Sequence, residues 1–280
     1  MRPSRLALPL LALVAAPTLL RAQATIAGDV TFASQYIARG ITTTNRGVFQ
    51  PSARVIVPAG RTTLTVNAWA NYDGMRYDDP TRHISENGGA GTELAELDVN
   101  VEAARTVGRA TLTVGALTYR FPNDHGTTSA SNTTELYARV ALDVPLAPSV
   151  QVWQDVRTVR GAYAEVAFAR SVGPIAISAT TGLNLGQSYG DGGASGYYAR
   201  HGVTHVDLAL AATRQIGGLT VTPSLHLVRG FDATTQVSAP GQARGLKLWI
   251  GTVVGWSRVA AFAGRPRVVA QAEPADDTAR

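Results

Sequence analysis

The chain has 280 residues, of which 45% are hydrophobic and 16% are charged, and it contains no cysteine. The lack of cysteine excludes disulfides, thiolate metal sites, a cysteine nucleophile and a lipid-anchored lipoprotein. The formal charge of +5 is small and unclustered, so it does not indicate nucleic-acid binding.

The first 24 residues have the three parts of a secretory signal peptide. A charged start at 1–5 precedes an apolar run over 6–20, and a small-x-small cleavage site ends at Ala24. The run is too short to cross a bilayer as a helix; a buried N-terminal helix is the alternative. We expect cleavage after Ala24, with Ala22 as the alternative. Cleavage at Ala24 removes three arginines and no acid, so the charge falls from +5 to +2.

The rest of the chain alternates between apolar and polar residues. In segment 95–103, Leu97, Val99 and Val101 alternate with acidic and amide residues. Successive side chains of a strand point to opposite faces, so this segment forms a strand with one apolar and one charged surface. The same pattern predicts twelve strands, near 26–39, 48–57, 62–72, 94–105, 109–120, 134–143, 149–158, 161–169, 175–185, 198–213, 219–229 and 245–256.

Short and long connections alternate along these strands. The predicted short turns are 58–61, 106–108, 144–148, 170–174 and 214–218, and the other connections are 41–47, 73–93, 121–133, 159–160, 186–197 and 230–244. A transmembrane barrel has short periplasmic turns and longer extracellular loops. We therefore predict an all-β fold: a single antiparallel transmembrane β-barrel of twelve strands over 25–256. A disordered periplasmic tail is expected over 257–280.

The polar faces predict the residues that line the lumen. They are Arg39, Arg54, Trp69, Glu96, Asp98, Glu102, Arg139, Asp155, Arg157, Glu165, His205, Asp207, His226 and Lys247. Such a set either filters solutes as a charged pore lining or fills a narrow barrel with cross-lumen salt bridges, and its mixed signs leave both interpretations open.

Aromatic residues fall on both predicted faces. Tyr36 and Tyr198 are expected to face lipid near the outer ends of their strands, as in an interfacial girdle. The lumen faces carry a further set, which either guides solutes or fills space: Trp69, Tyr119, Tyr137, Trp153, Tyr163 and Trp249.

The histidines do not predict a metal site, and no serine predicts an enzyme. His201 and His205 lie about 13 Å apart along a strand, too far to share one ion unaided. Ser224 and His226 share a face, but it is the lumen face, whereas a lipid-cleaving triad must be available at the lipid side. We expect no catalytic residues, no metal and no cofactor.

Several short motifs occur in a familiar order. They are SQYIARG at 34–40, FQPS at 49–52, NAWANYD at 67–73, ELD at 96–98 and YRFPN at 119–123. Their order and spacing resemble a group of bacterial outer-membrane barrels, the porins of the TorF type and the relatives of the MltA-interacting protein. The resemblance covers the first half of the mature chain. It implies an outer-membrane barrel and transfers no catalytic residues.

These observations predict a porin-like passive channel for small solutes in the outer membrane of a Gram-negative bacterium. The expected partners are outer-membrane lipid, the outer-membrane assembly machinery and a small-molecule solute, with no nucleic acid. The alternative is a narrow structural or interaction barrel without significant conductance. A secreted soluble β protein is the third interpretation.

Overall fold

The structure is a computed structural model that describes residues 23–44, 47–73, 93–122, 132–188, 191, 196–231 and 245–261. Most of the predicted signal peptide and tail lie outside these residues. No helix that could cross a membrane occurs in the described part. Its strands are β1 (Gln23–Ala33), β2 (Tyr36–Ala38), β3 (Ile41–Thr44), β4 (Val48–Ala59), β5 (Thr62–Asp73), β6 (Glu93–Val107), β7 (Ala110–Arg120), β8 (Thr133–Leu142), β9 (Ser149–Asp155), β10 (Ala162–Val172), β11 (Ile175–Asn184), β12 (Gly202–Ala212), β13 (Arg214–Ile216), β14 (Leu219–Gly230) and β15 (Gly245–Ala261).

Twelve of these strands form a closed antiparallel barrel. The wall strands are β1, β4 to β12, β14 and β15, and each pairs with its two neighbours. The ring closes because β1 pairs with β15 and β12 pairs with β14. The short β13 extends one turn by pairing with β14, and β2 pairs with β3 in a separate sheet. The predicted twelve-stranded barrel is confirmed.

The apolar face of the wall points outward. On β6, Val99 is 42% exposed and Val101 is 51% exposed, whereas Glu96 is 4% exposed. The same orientation recurs around the ring, at Ile26, Phe32, Val55, Leu64, Val66, Leu112, Val114, Leu136, Val140, Val150, Val152, Phe168, Ile177, Leu208, Leu210, Leu225, Leu227, Leu248 and Ile250. Such an exterior suits hydrocarbon rather than water.

All the connections at one end are short, and all but one at the other end are longer, as the sequence predicts; the exception, 156–161, has six residues, like 143–148 and 213–218. One end, the turn end, carries the connections 60–61, 108–109, 143–148, 173–174 and 213–218. The opposite end, the loop end, carries 34–47, 74–92, 121–132, 156–161, 185–201 and 231–244.

Both ends of the barrel sequence lie at the turn end and differ from the predicted bounds. The last strand, β15, continues beyond the predicted limit at 256 to Ala261. The first strand begins at Gln23, and Ala24 pairs with Ala260. Cleavage after Ala22, the alternative site, would therefore leave all of β1 in the mature chain.

The strand predicted over 149–158 ends at Asp155, so Arg157, an expected lumen residue, lies beyond it. Oδ1 of Asp155 accepts the backbone N–H groups of residues 157–160 at 3.0–3.1 Å. Its Oδ2 accepts the hydroxyl of Thr133 at 2.6 Å. The Asp155 carboxylate thus closes the connection to β10. Arg157 is exposed in that connection instead of standing on a wall strand.

Replacing Asp155 should open this connection to trypsin. Asp155→Ala leaves four backbone donors without their acceptor, and an unsatisfied buried group costs about 1–3 kcal/mol. We expect faster tryptic cleavage after Arg157 and Arg160 in the folded protein. Asp155→Asn keeps one acceptor oxygen and should be cut at nearly the wild-type rate. Equal rates in all three proteins would contradict the role of the carboxylate.

Candidate functional site

The first long connection folds into the barrel as a small hairpin. This plug hairpin, residues 36–44, consists of β2, β3 and a two-residue loop. Both loop residues have positive φ, 50° at Arg39 and 83° at Gly40, as in a type I′ turn. A left-handed backbone at a residue other than glycine costs of order 1–3 kcal/mol, so the contacts of the Arg39 side chain must offset that cost.

The Arg39 guanidinium makes a two-pronged ion pair with Glu135 on β8. Its Nη1 donates to Oε1 at 2.8 Å, and its Nη2 donates to Oε2 at 2.6 Å. Nη2 also donates to the Tyr119 hydroxyl at 3.1 Å. A planar guanidinium and a carboxylate match in this geometry, which gives the pair both strength and direction.

Two aromatic rings complete the surroundings of the guanidinium. Cζ of Arg39 lies 4.6 Å from the ring centroid of Trp153 and 4.6 Å from that of Tyr163. These distances suit cation–π attraction. The Tyr198 ring stacks on Tyr163 with centroids 5.7 Å apart. We call the pocket formed by Glu135, Tyr119, Trp153 and Tyr163 the guanidinium site.

Glu135 is the central acceptor of the guanidinium site, and the set of predicted lumen residues omits it. Besides Arg39, its carboxylate accepts from the Tyr119 hydroxyl and from Gln187 Nε2, both at 2.8 Å. A buried carboxylate is tolerable when it is paired and its lone pairs are satisfied in this way. The signal was present in the sequence, because Glu135 shares the lumen face of β8 with Tyr137 and Arg139.

Further contacts attach the plug hairpin to other parts of the wall. The Tyr36 ring lies 5.5 Å from that of Trp69 on β5, and Thr44 donates to Asp73 at 2.7 Å. Across the ring from β8 to β10, Lys247 of β15 donates to the Thr42 hydroxyl at 2.6 Å. The hairpin therefore spans the lumen.

Two expected lipid-facing tyrosines lie inside the barrel. Tyr36 belongs to the plug hairpin, and Tyr198 is 2% exposed in the aromatic cluster. The outward placement was wrong because both residues belong to connections that fold inward, where the alternation of a wall strand no longer applies.

The tip of the hairpin also rests on β12. A Cβ added to Gly40 would lie 2.6 Å from Cβ of His205, so only glycine fits this approach. His205 is buried, and its Nδ1 lies 3.0 Å from the Thr204 hydroxyl. His201 is exposed and contacts Asp191 at 2.8 Å. The two histidines therefore have separate partners.

Pairs that solvent reaches lie near mid-height in the lumen. Arg54 donates to Asp29 at 2.8 Å, with side-chain exposures of 40% and 16%. His226 lies 3.0 Å from Asp207 and stacks on Trp249 with centroids 3.8 Å apart. In contrast, the Glu135 side chain in the loop-end half is 0% exposed. The interior is thus reached by solvent at mid-height and closed at the plug hairpin.

The remaining predicted lumen residues lie on wall strands. Tyr137 donates to Glu102 at 2.7 Å, and Tyr163 donates to Glu165 at 2.9 Å. Glu96 pairs along the ladder with Asn71, Asp98 pairs with Trp69, and Arg139 is exposed on β8 opposite Thr113 and Gln151.

No protein-family model matches the chain, and no curated protein matches it. Similar solved structures include an outer membrane channel from Pseudomonas putida F1, with 8% identity over 87% of this chain and 97% of that one and a TM-score of 0.47. LpxR from Salmonella typhimurium has 9% identity, coverage of 83% and 99%, and a TM-score of 0.45. Outer membrane phospholipase A from Escherichia coli has 10% identity over 83% of this chain and 89% of that one, with a TM-score of 0.43. Scores this low assign no function, and the barrel architecture rests on the strand pairing itself.

Removing either partner of the Arg39–Glu135 pair should destabilise the barrel. Breaking a buried pair costs about 3–5 kcal/mol, because a charge is left without compensation. We expect Arg39→Ala and Glu135→Ala each to lower the midpoint of urea unfolding in lipid vesicles, and the double variant to lose less than their sum.

Arg54→Ala is the matched control for this experiment. It removes a guanidinium from a pair that solvent reaches more than the Arg39–Glu135 pair, so we expect a smaller loss. A loss in the double variant equal to the sum of the single losses would show that Arg39 and Glu135 are not coupled.

Proposed function

We propose that the protein is an integral barrel of the bacterial outer membrane, exported by its N-terminal signal and inserted by the outer-membrane assembly machinery. The apolar exterior, the closed ladder and the sorting of short and long connections support this location. In hydrocarbon a sheet can span only when no edge is left unpaired.

We further propose that the barrel is a channel for small polar solutes, which the plug hairpin closes at the loop end. The observation that carries this proposal is the pairing of β2 with β3 in a sheet separate from the wall. The hairpin can leave the lumen without breaking any ladder hydrogen bond of the barrel. The pairs that solvent reaches at mid-height then become part of a continuous polar path.

The resemblance to TorF-type porins and to relatives of the MltA-interacting protein is part of the same proposal. It rests on the five motifs between 34 and 123; two of them, at 34–40 and 119–123, contain Arg39 and Tyr119, which are hydrogen-bonded to each other. The proposed function involves no cofactor and no catalytic step.

A narrow structural or interaction barrel is the second candidate. The closed loop-end half favours it, because Glu135, Gln187 and Thr204 are each 0% exposed there. A barrel that stays closed would act through its loops or a periplasmic partner.

An arginine on the outer face should block membrane folding in a depth-dependent way. Arginine at the bilayer midplane costs about 2–4 kcal/mol, and near the interface about 0–1 kcal/mol. We expect Val101→Arg, in the middle of β6, to reduce the folded fraction in lipid vesicles, measured by heat-modifiable gel migration. Val107→Arg, at the turn end of the same strand, is the control and should fold nearly normally. Equal folding of both variants would remove the membrane assignment.

Removal of the plug hairpin should open the lumen. Tyr36 and Thr44 are ladder partners, so their backbones are about 5 Å apart and a short Gly-Ser linker can replace 36–44. In planar bilayers we expect small or rare current steps from the wild type and larger, steady steps from the linker variant. Arg54→Ala, which keeps the hairpin, should behave like the wild type. A folded linker variant without current steps would overturn the channel and leave the structural barrel.

A further inference from the structure

We infer that the guanidinium site is a binding site for planar organic cations of the guanidinium or amidinium class, and that Arg39 is its tethered occupant. The four wall residues contact the guanidinium group of Arg39 and do not depend on the backbone of the hairpin. They belong to β7, β8, β9 and β10, which are neighbours in the ladder.

The polar part of the guanidinium site selects a planar donor. Both carboxylate oxygens of Glu135 accept from Arg39, one from each terminal nitrogen, at 2.8 Å and 2.6 Å. The Tyr119 hydroxyl accepts a further N–H from the same group at 3.1 Å. A forked cation satisfies these acceptors together, whereas an ammonium group acts as a point charge.

The aromatic part of the guanidinium site adds the preference for a flat, delocalised cation. The Trp153 and Tyr163 rings each lie 4.6 Å from the guanidinium carbon. Electron-rich ring faces attract a cation, and a guanidinium can also stack on them.

The site should keep its shape after the Arg39 side chain leaves. Tyr119 and Gln187 hold the Glu135 carboxylate by hydrogen bonds that do not involve Arg39. Trp153 is packed between Tyr137 and Tyr163, with ring centroids 6.4 Å and 5.7 Å away. A preorganised pocket costs a ligand less to enter.

Charge and access both favour a replacement cation. Among the four hydrogen bonds that Glu135 accepts from described residues, only those from Arg39 come from a cation, so the departure of Arg39 leaves a carboxylate that needs another cation. The Arg39 side chain is 17% exposed, so the site communicates with solvent. That such a cation displaces the plug during transport rests on the proposed function; its binding at this site does not.

The test uses Arg39→Ala, folded as the full chain in detergent micelles. Ethylguanidinium corresponds to the group that this substitution removes. Ethylammonium carries the same charge but lacks the planar, forked guanidinium group. We expect millimolar ethylguanidinium to raise the midpoint of thermal unfolding of Arg39→Ala in a saturable manner, well beyond ethylammonium at equal ionic strength.

Two proteins serve as controls. In the wild type Arg39 fills the site, and in Arg54→Ala the lost guanidinium had Asp29 as its ion-pair partner, with no ring contact among the described residues. Neither should show the selective shift. Equal shifts with both cations in Arg39→Ala, or the same ethylguanidinium shift in the wild type, would overturn the proposal.

A second readout covers the case in which Arg39→Ala folds poorly. Its folded yield on refolding should then rise with ethylguanidinium and stay low with ethylammonium, and equal yields would also overturn the site. Neither readout requires conductance. If the linker variant gives no current steps but Arg39→Ala binds ethylguanidinium selectively, the channel proposal fails and the proposal of the binding site stands.

Discussion

Closure of the backbone ladder is the constraint on which the rest of this structure depends. The first wall strand pairs with the last, so every wall strand has two neighbours. A sheet closed in this way can present hydrocarbon with side chains alone, because its N–H and C=O groups are paired within the wall. With one face apolar by alternation, all charged groups of the other face are confined to the interior.

The confined charges explain why a hairpin occupies the lumen. The loop-end half of the wall carries Glu96, Asp98 and Glu135, whereas Arg54 and Arg139 stand farther toward the turns. In the same half Lys247 contacts Thr42, and Arg39 supplies the positive charge that pairs with Glu135, from a connection rather than from a strand. A buried carboxylate needs such a partner more than an exposed one does.

The sequence was sufficient to predict the wall but not the hairpin. Period-two alternation identifies which side chains share a face, and it correctly placed Val99 and Val101 outside. It could not reveal that the chain turns inward after Ala33, because the alternation continues in phase through Arg39. Arg157 was placed on a wall strand for the same reason: the Asp155 side chain holds a turn by hydrogen bonds to nearby backbone, which periodicity cannot reveal. Tertiary contacts decide these places.

The contacts of the hairpin also make the intrinsic tryptophan fluorescence of the protein sensitive to the position of the hairpin. The chain has four tryptophans. Two of them, Trp69 on β5 and Trp153 on β9, contact the hairpin residues Tyr36 and Arg39. Withdrawal of the hairpin would transfer both indoles from a packed environment to water, and their emission would shift to longer wavelength without any added label.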